Sequence, residues 1–354
     1  MSKAAGESVN EAAQLAPPLL AVEDLEVEFA TFGGTVHAVR GVSFKVDAGR
    51  TMAIVGESGC GKSVTVQSLM GLVPTPPGRI TAGSARWRGQ EILGSTVVAG
   101  RELRGREIGM IFQDPMSSLN PTMTVGAQIA ETLEVHRGFT RRQAHRQAVE
   151  LLERVRIPDA TRRARQYPFE FSGGMLQRAM IAGAIACEPA LLIADEPTTA
   201  LDVTIQAQIL DLLQDLQRTT GMGIILITHD LAVVARMADD VAVMYAGQIV
   251  EYGSVDDIFY RPGHPYTQGL QAAIPHNRPG DRRPLQPIEG APPDLFAPPP
   301  GCAYAARCPS AMKLCAREAP PAFAQAARHV AAQPGAAAHA ARCWLHHPAR
   351  EESR

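Results

Sequence analysis

The chain has 354 residues, of which 45% are hydrophobic and 20% charged, and its formal net charge is −2. This length suits one large domain with appendages or two domains. The lack of a basic excess argues against nucleic acid as the main partner. No apolar run approaches the roughly 20 residues of a membrane-spanning helix, and residues 1–20 lack the apolar core of a signal peptide. We therefore expect a disordered lead-in at 1–20 and a cytosolic setting, in which disulfides are rare.

The first elements after the lead-in are predicted strands. Residues 25–29 and 42–46 have strand composition, and a turn at 47–49 leads to a short apolar strand at 51–55. The next eight residues, Gly56-Glu57-Ser58-Gly59-Cys60-Gly61-Lys62-Ser63, match the pattern G-x-x-x-x-G-K-[ST], and a helical pattern follows at 64–72. A strand, a glycine-rich loop and a helix in this order are typical of a phosphate-binding P-loop.

The P-loop predicts how a nucleoside triphosphate binds. Backbone N–H groups of such a loop point toward the phosphates, and the dipole of the following helix adds positive potential there. Lys62 would reach the β- and γ-phosphates, and the Ser63 hydroxyl would hold Mg²⁺. The residues predicted to contact the nucleotide here are Gly56, Ser58, Gly59, Cys60, Gly61, Lys62, Ser63 and Val64.

A mostly helical segment is predicted at 116–171, between elements of the sheet. An apolar strand at 108–112 is followed by Gln113, and apolar periodicity then predicts helices at 125–136 and 142–156. Phe171-Ser172-Gly173-Gly174-Met175 precedes a further helix that reaches about residue 187. This helix start is a second candidate site for an anion.

Two carboxylates, Asp195 and Glu196, follow a short apolar strand at 191–194. Asp195 would bind Mg²⁺ directly or through water, and Glu196 would polarise an attacking water. His229 follows a second apolar strand at 223–228. Ligands of parallel sheets bind at the carboxyl ends of the strands, so we expect these three side chains to face the phosphates. A hairpin of strands at 241–245 and 248–252 is predicted next.

In their order along residues 22–255, these motifs resemble the nucleotide-binding subunits of ABC (ATP-binding cassette) transporters. The resemblance implies an α/β fold of the ABC-type P-loop NTPases, with a mixed sheet, an antiparallel β part and an inserted helical subdomain. It implies ATP as ligand and hydrolysis by Glu196, His229, Gln113 and Lys62. Gln113 would sense Mg²⁺ and the water, and His229 would contact the γ-phosphate. The resemblance identifies residues 172–174 as the signature motif and residues 200–202 as the D-loop.

The resemblance also implies a head-to-tail dimer that closes on ATP. Ser172, Gly173, Gly174 and Asp202 would then face the ATP held by the partner subunit. Many family members have glutamine where Met175 stands; this residue follows the two glycines, so phosphate contact should survive. An aromatic side chain should stack on adenine, and spacing favours Phe29, with Phe32 as the alternative.

Four cysteines lie in the C-terminal part of the chain, which we predict to be an extended proline-rich linker and a small tail. Their spacing is C-x5-C-x6-C-x27-C. Zinc sites usually contain C-x2-C pairs, whereas a Cys₄ [4Fe–4S] cluster tolerates looser spacing. The pattern therefore favours a cluster, and zinc or free thiols stay open. The four residues are Cys302, Cys308, Cys315 and Cys343.

Further features resemble the ATPase subunits of oligopeptide and dipeptide permeases. They are the form GESGCGKS, the run Gln113-Asp114-Pro115, FSGGM, His264-Pro265-Tyr266-Thr267 and the four cysteines. The resemblance implies an ATPase domain at 21–260 and a permease-type extension at 261–354. It also implies two integral-membrane permeases, a second ABC ATPase subunit, an extracytoplasmic binding protein, and a place on the cytoplasmic face of the bacterial inner membrane.

Several alternatives stay open at this point. The cargo could be a dipeptide, an oligopeptide, nickel or another small solute, and the dimer could be homomeric. A soluble ABC ATPase of repair or translation is less consistent with a single cassette and a short insertion. A non-catalytic redox sensor is disfavoured by the presence of Glu196 and His229.

Overall fold

The computed structural model describes residues 17–93, 102–199, 201–274, 287–325 and 338–348. Its strands form a four-stranded antiparallel sheet, β2-β1-β4-β5, and an eight-stranded mixed sheet, β11-β12-β10-β9-β3-β8-β7-β6. The strands are β1 (Leu20–Thr31), β2 (Gly34–Val46), β3 (Thr51–Val55), β4 (Gly78–Trp87), β5 (Gln90–Glu91), β6 (Ile108–Ile111), β7 (Leu191–Asp195), β8 (Gly223–Thr228), β9 (Asp240–Tyr245), β10 (Gln248–Ser254), β11 (Phe323–Ala324) and β12 (Ala340–Ala341).

The helices cover the mixed sheet and fill the segment predicted to be helical. No helix among the described ranges is long and apolar enough to cross a membrane. The α-helices are α1 (Lys62–Leu69), α2 (Pro115–Ser118), α3 (Val125–Arg137), α4 (Arg141–Arg154), α5 (Ala160–Arg163), α6 (Gly173–Ala184), α7 (Val203–Thr220), α8 (Leu231–Met237), α9 (Val255–Tyr260) and α10 (Pro265–Ala272), with 3₁₀ turns at Pro168–Glu170, Lys313–Ala316 and Trp344–His346.

Both faces of the mixed sheet are buried, as the fully apolar strands predict. In β7, Leu192 and Ala194 join a core cluster with the helices, whereas Leu191 and Ile193 join a second cluster with the antiparallel sheet. Strands β3, β6, β7, β8 and β9 run parallel, so their carboxyl ends lie along one edge. This edge carries the P-loop, Asp195 and Thr228.

The predicted hairpin is present as β9 and β10, which pair antiparallel. Ala246 and Gly247 connect them, with φ values of 47° and 81° in the left-handed region. Two left-handed residues between paired strands match the right-handed twist of a tight hairpin. Strand β1 begins at Leu20, the last residue of the predicted lead-in, and residues 1–16 lie outside the described residues.

The extended linker predicted for the C-terminal part is wrong for residues 265–272, which form helix α10. His264 caps this helix, because its Nδ1 accepts a hydrogen bond from Tyr266 N at 3.0 Å, and Pro265 occupies the first helical position. Proline is well suited to that position because its missing N–H would have no partner within the helix. Tyr266 is fully buried, and β12 pairs with β10, so the C-terminal part packs on the sheet.

Candidate nucleotide-binding site

The P-loop connects β3 to α1 and is shaped by glycines. A Cβ on Gly61, whose φ is 104°, would lie 2.4 Å from the carbonyl oxygen of Ala38. A Cβ on Gly56 would lie 2.1 Å from the carbonyl oxygen of Met244. Real Cβ atoms cannot approach backbone oxygens so closely, so only glycine allows this loop to fold against the neighbouring strands.

The ammonium group of Lys62 lies inside the loop. Its Nζ donates to the carbonyl oxygens of Gly56 at 2.9 Å and Glu57 at 3.0 Å, and the residue is 5% exposed. Cys60 is also buried, and burial raises the pKa of its thiol, which keeps it protonated. The loop therefore presents one buried positive charge next to the helix start, as a phosphate site requires.

The structure brings together Ser63 and Asp195, two of the three predicted magnesium ligands (the third is Gln113), although they are far apart in the sequence. Ser63 Oγ donates to Asp195 Oδ1 at 3.0 Å. Burial raises the pKa of the Asp195 carboxyl, and the hydrogen bond from Ser63 opposes that effect. A hydroxyl beside a carboxylate is the oxygen-rich donor set that Mg²⁺ prefers, so these residues fit the ion.

Glu196 lies at the centre of the predicted catalytic residues. Its Oε2 accepts from Gln113 Nε2 at 3.0 Å and from Thr199 Oγ1 at 2.9 Å, and its Oε1 is 3.5 Å from His229 Nδ1. The side chain of Glu196 is 11% exposed and that of His229 is 56% exposed. The carboxylate is thus held in one orientation, with the more exposed imidazole at its open side. Thr199 was not predicted; its place three residues after Glu196 is the only sequence signal.

Ser172 and Asp202 begin neighbouring helices. Ser172 caps α6, accepting from Met175 N at 3.4 Å, and Asp202 caps α7, accepting from Ile205 N at 2.9 Å. A Cβ on Gly174 would lie 2.9 Å from Ile205 Cγ2, so the two helix starts pack closely. The first D-loop residue, Ala200, lies outside the described residues.

The two candidates for the adenine contact differ in their surroundings. Phe29 is partly buried and packs against the core cluster of the antiparallel sheet. Phe32 is fully exposed at the turn between β1 and β2. The choice of Phe29 stays a prediction.

The four C-terminal cysteines converge on one cavity, which His264 and Tyr304 also line. Cys302, Cys308, Cys315 and Cys343 are free thiols, and burial raises the pKa of Cys302, Cys308 and Cys343. Among the described residues, no group of three or more His, Cys, Asp and Glu side chains is arranged to hold a metal ion. The predicted iron–sulfur cluster is therefore not supported by a preformed ion site.

Comparisons with known proteins agree with the motifs. Residues 39–199 match the family model "ABC transporter", and residues 250–315 match "Oligopeptide/dipeptide transporter, C-terminal region". The chain is 52% identical to the dipeptide transport ATP-binding protein DppD of Bacillus subtilis, covering 92% of this chain and 94% of that protein. It is 51% identical to the oligopeptide transport ATP-binding protein OppD of Salmonella typhimurium, covering 89% and 93%.

Solved structures show the same fold. The dimeric structure of MJ0796, a bacterial ABC transporter cassette, has a TM-score of 0.60 at 24% identity, covering 67% of this chain and 98% of that chain. The structure of cbiO1 from Clostridium perfringens, part of an ABC transporter complex, has a TM-score of 0.58 at 28% identity, covering 69% and 91%. The α/β fold of the P-loop type, predicted from the motifs, is confirmed.

Proposed function

The chain belongs to the oligopeptide and dipeptide family of ABC transporter ATP-binding proteins, and we propose that it hydrolyses ATP to drive the import of di- or oligopeptides. The observation that carries this proposal is the pair of contacts Ser63–Asp195 and Gln113–Glu196. One chain thus holds both a place for Mg²⁺ and an oriented carboxylate for water. The likeness to DppD and OppD extends through the C-terminal region, which supports peptide cargo.

Each part of the site has a task in hydrolysis. Lys62 and the N–H groups of the P-loop bind the phosphates, and Ser63, Asp195 and Gln113 would hold the metal. When bound, Mg²⁺ neutralises charge that develops on the phosphate oxygens. Glu196 accepts hydrogen bonds that fix its carboxylate, so it can orient a water and take its proton. His229, at the open side of Glu196, is placed to contact the γ-phosphate.

The second anion-binding helix start serves a partner subunit in this proposal. Ser172, Gly173 and Gly174 begin a 12-residue helix, whose dipole favours a phosphate at its N-terminus. Asp202 begins the adjacent helix. A head-to-tail dimer would place these residues over the ATP of the other subunit, so that ATP stabilises closure. We propose a second, similar ATPase chain as the partner.

A groove between the helical segment and the P-loop half supports docking of membrane permeases. Leu72 and Phe112 are exposed large apolar residues in its lining. Met123 and Met180 also line it, and methionine side chains adapt readily to a partner helix. Two permease subunits would hold the chain at the cytoplasmic face of the bacterial inner membrane, and an extracytoplasmic binding protein would deliver the peptide.

Purification of a tagged copy from gently solubilised membranes tests the transport proposal. We expect two integral-membrane permeases and a second ABC ATPase to copurify with it. In proteoliposomes containing this complex, peptide with its binding protein should stimulate ATP hydrolysis. Copurification with ribosomal or DNA-repair proteins, and no permease, would contradict the proposal.

We propose in addition that the four-cysteine cavity holds a [4Fe–4S] cluster. Cys302, Cys308, Cys315 and Cys343 line the same cavity, which supplies the Cys₄ donor set of such a cluster. A single zinc ion would need its sulfurs within about 4 Å of one another, given Zn–S bonds of about 2.3 Å. The lack of a C-x2-C pair among the four cysteines favours the cluster over zinc.

Anaerobic purification tests the cluster. We expect brown protein with about four iron and four sulfide per chain, and Cys315→Ser should lower both. The buried Cys187, far from the cavity in sequence, provides the control, because Cys187→Ser should leave the iron content unchanged. Colourless, iron-free protein from an anaerobic preparation would refute this assignment.

A further inference from the structure

Arg307 connects the C-terminal extension to the P-loop. Its guanidinium makes a two-pronged ion pair with Glu57, with Nη1 2.8 Å from Oε2 and Nη2 3.0 Å from Oε1. The remaining donors reach Tyr245 Oη at 3.2 Å and the carbonyl oxygens of Ile288 at 3.1 Å and Glu289 at 2.9 Å. All five N–H groups of the guanidinium are therefore used.

This ion pair is shielded from water, unlike most surface pairs. The side chain of Arg307 is 6% exposed and that of Glu57 is 26% exposed. The guanidinium carbon also lies 5.8 Å from the centre of the Tyr245 ring and 6.0 Å from that of Tyr304. The hydrogen bonds to Glu57 raise the pKa of Arg307 above its ordinary value. A planar fork of this kind cannot be replaced by lysine without loss of bonds.

Glu57 links Arg307 to Lys62, the predicted phosphate-binding lysine. Its backbone N–H donates to Tyr266 Oη at 2.9 Å, and its carbonyl oxygen accepts from Lys62 Nζ at 3.0 Å. Its side chain is held by Arg307. The side chain, N–H and C=O of one P-loop residue are thus fixed by three different partners, two of them from outside the ordinary nucleotide motifs.

We propose that Arg307 is a positioning residue for the P-loop, which holds Glu57 so that the loop around Lys62 is preformed for the phosphates of ATP. The C-terminal extension is then a structural part of the nucleotide site. Preformed binding loops raise affinity because less ordering is needed when the ligand binds. Arg307 itself makes no contact with the reacting atoms. The inference rests on the proposed ATPase, since ATP is the ligand considered.

The test compares ATP binding by the full chain with Arg307→Gln and with Arg317→Gln, which alters an exposed arginine of the same extension. Arg307→Gln should raise the Kd for Mg-ATP on the order of tenfold, whereas turnover at saturating ATP should change by less than about twofold. Arg307→Lys should give an intermediate Kd, because it keeps the charge and loses the fork. Arg317→Gln should bind ATP like the unaltered chain.

Glu57→Gln keeps the proposal testable if Arg307→Gln does not fold. It should also raise the Kd, and the double variant should bind no more weakly than the worse single variant, since both remove the same ion pair. An unchanged Kd in folded Arg307→Gln, even with a lower melting temperature, would show a purely structural role and overturn the proposal. If the unaltered chain binds Mg-ATP without hydrolysing it, the ATPase proposal fails. The comparison of Kd values still tests the role of Arg307 in that case.

Discussion

Replacement of Glu196 by glutamine is expected to lower the rate of ATP hydrolysis by about 10²–10⁴-fold, the usual contribution of a general base. The amide of glutamine has nearly the same shape and can still accept from Gln113 or Thr199, but it cannot take a proton from water. ATP binding should be retained, because Lys62, Ser63 and Asp195 are unchanged. The bound ATP would then persist, and the closed dimer should accumulate.

Two measurements check this expectation. Phosphate release under saturating Mg-ATP gives the loss of turnover, and size-exclusion chromatography with and without Mg-ATP reveals the trapped dimer. Glu188→Gln is the matched control, because Glu188 is 66% exposed and pairs with Arg137 at the surface; it should hydrolyse ATP normally. Normal turnover in Glu196→Gln would show that another group activates the water.

The meeting of the candidate nucleotide-site residues at one sheet edge could be predicted because each part of the site is a local pattern. The P-loop glycines, the carboxylates after β7 and the histidine after β8 each follow an apolar strand, and parallel pairing brings these strand ends to one edge. Ser63, at the start of α1 after β3, then lies beside Asp195 at the end of β7. The β9–β10 hairpin could also be predicted from a local pattern, because Ala246-Gly247 suits its left-handed turn.

The C-terminal extension could not be predicted in the same way. Its proline content suggested a linker, but Pro265 begins a helix instead of preventing one. The ion pair between Glu57 and Arg307 joins residues 250 positions apart, and neither residue has a periodic or motif-based signal for the other. Contacts of this kind depend on how two packed segments meet, which composition and spacing along one chain do not determine.

Glu251 provides the second large expected effect, on stability. This residue of β10 is 1% exposed, and its carboxylate joins the sheet to two C-terminal segments. It accepts from Gly263 N at 2.6 Å, His264 N at 2.9 Å, Thr267 Oγ1 at 2.5 Å and His339 Nε2 at 2.8 Å. Glu251→Ala leaves these buried donors without their acceptor, so we expect a loss of about 3–5 kcal/mol in the free energy of unfolding.

Thermal and denaturant unfolding measure that loss. Glu153→Ala is the control, since Glu153 is exposed on α4 and its replacement should change the free energy by less than about 0.5 kcal/mol. A melting temperature of Glu251→Ala equal to that of the unaltered chain would show that the four hydrogen bonds contribute no net stability.

The protonation of Glu251 predicts how this stability depends on pH. Burial alone would raise the pKa of its carboxyl, but the hydrogen bonds from His339, Thr267 and the two backbone N–H groups bring the pKa below the ordinary 4.5. A carboxyl with a lowered pKa in the folded state stabilises the fold above the ordinary pKa, and this contribution is lost as pH falls through the lowered value. The stability difference between the unaltered chain and Glu251→Ala should therefore shrink below about pH 4.

Glu251 should also affect ATP binding, by a route separate from Arg307. The segment that it holds, residues 263–267 at the start of α10, carries Tyr266, whose hydroxyl accepts the Glu57 N–H. Loss of Glu251 loosens that segment and, through Tyr266, the same P-loop residue that Arg307 fixes by its side chain. Tyr266→Phe separates the two effects, because it removes only the hydroxyl: we expect a raised Kd for Mg-ATP with a smaller loss of stability than in Glu251→Ala. Equal Kd values for Tyr266→Phe and the unaltered chain would show that Glu251 contributes to stability and not, through Tyr266, to ATP binding.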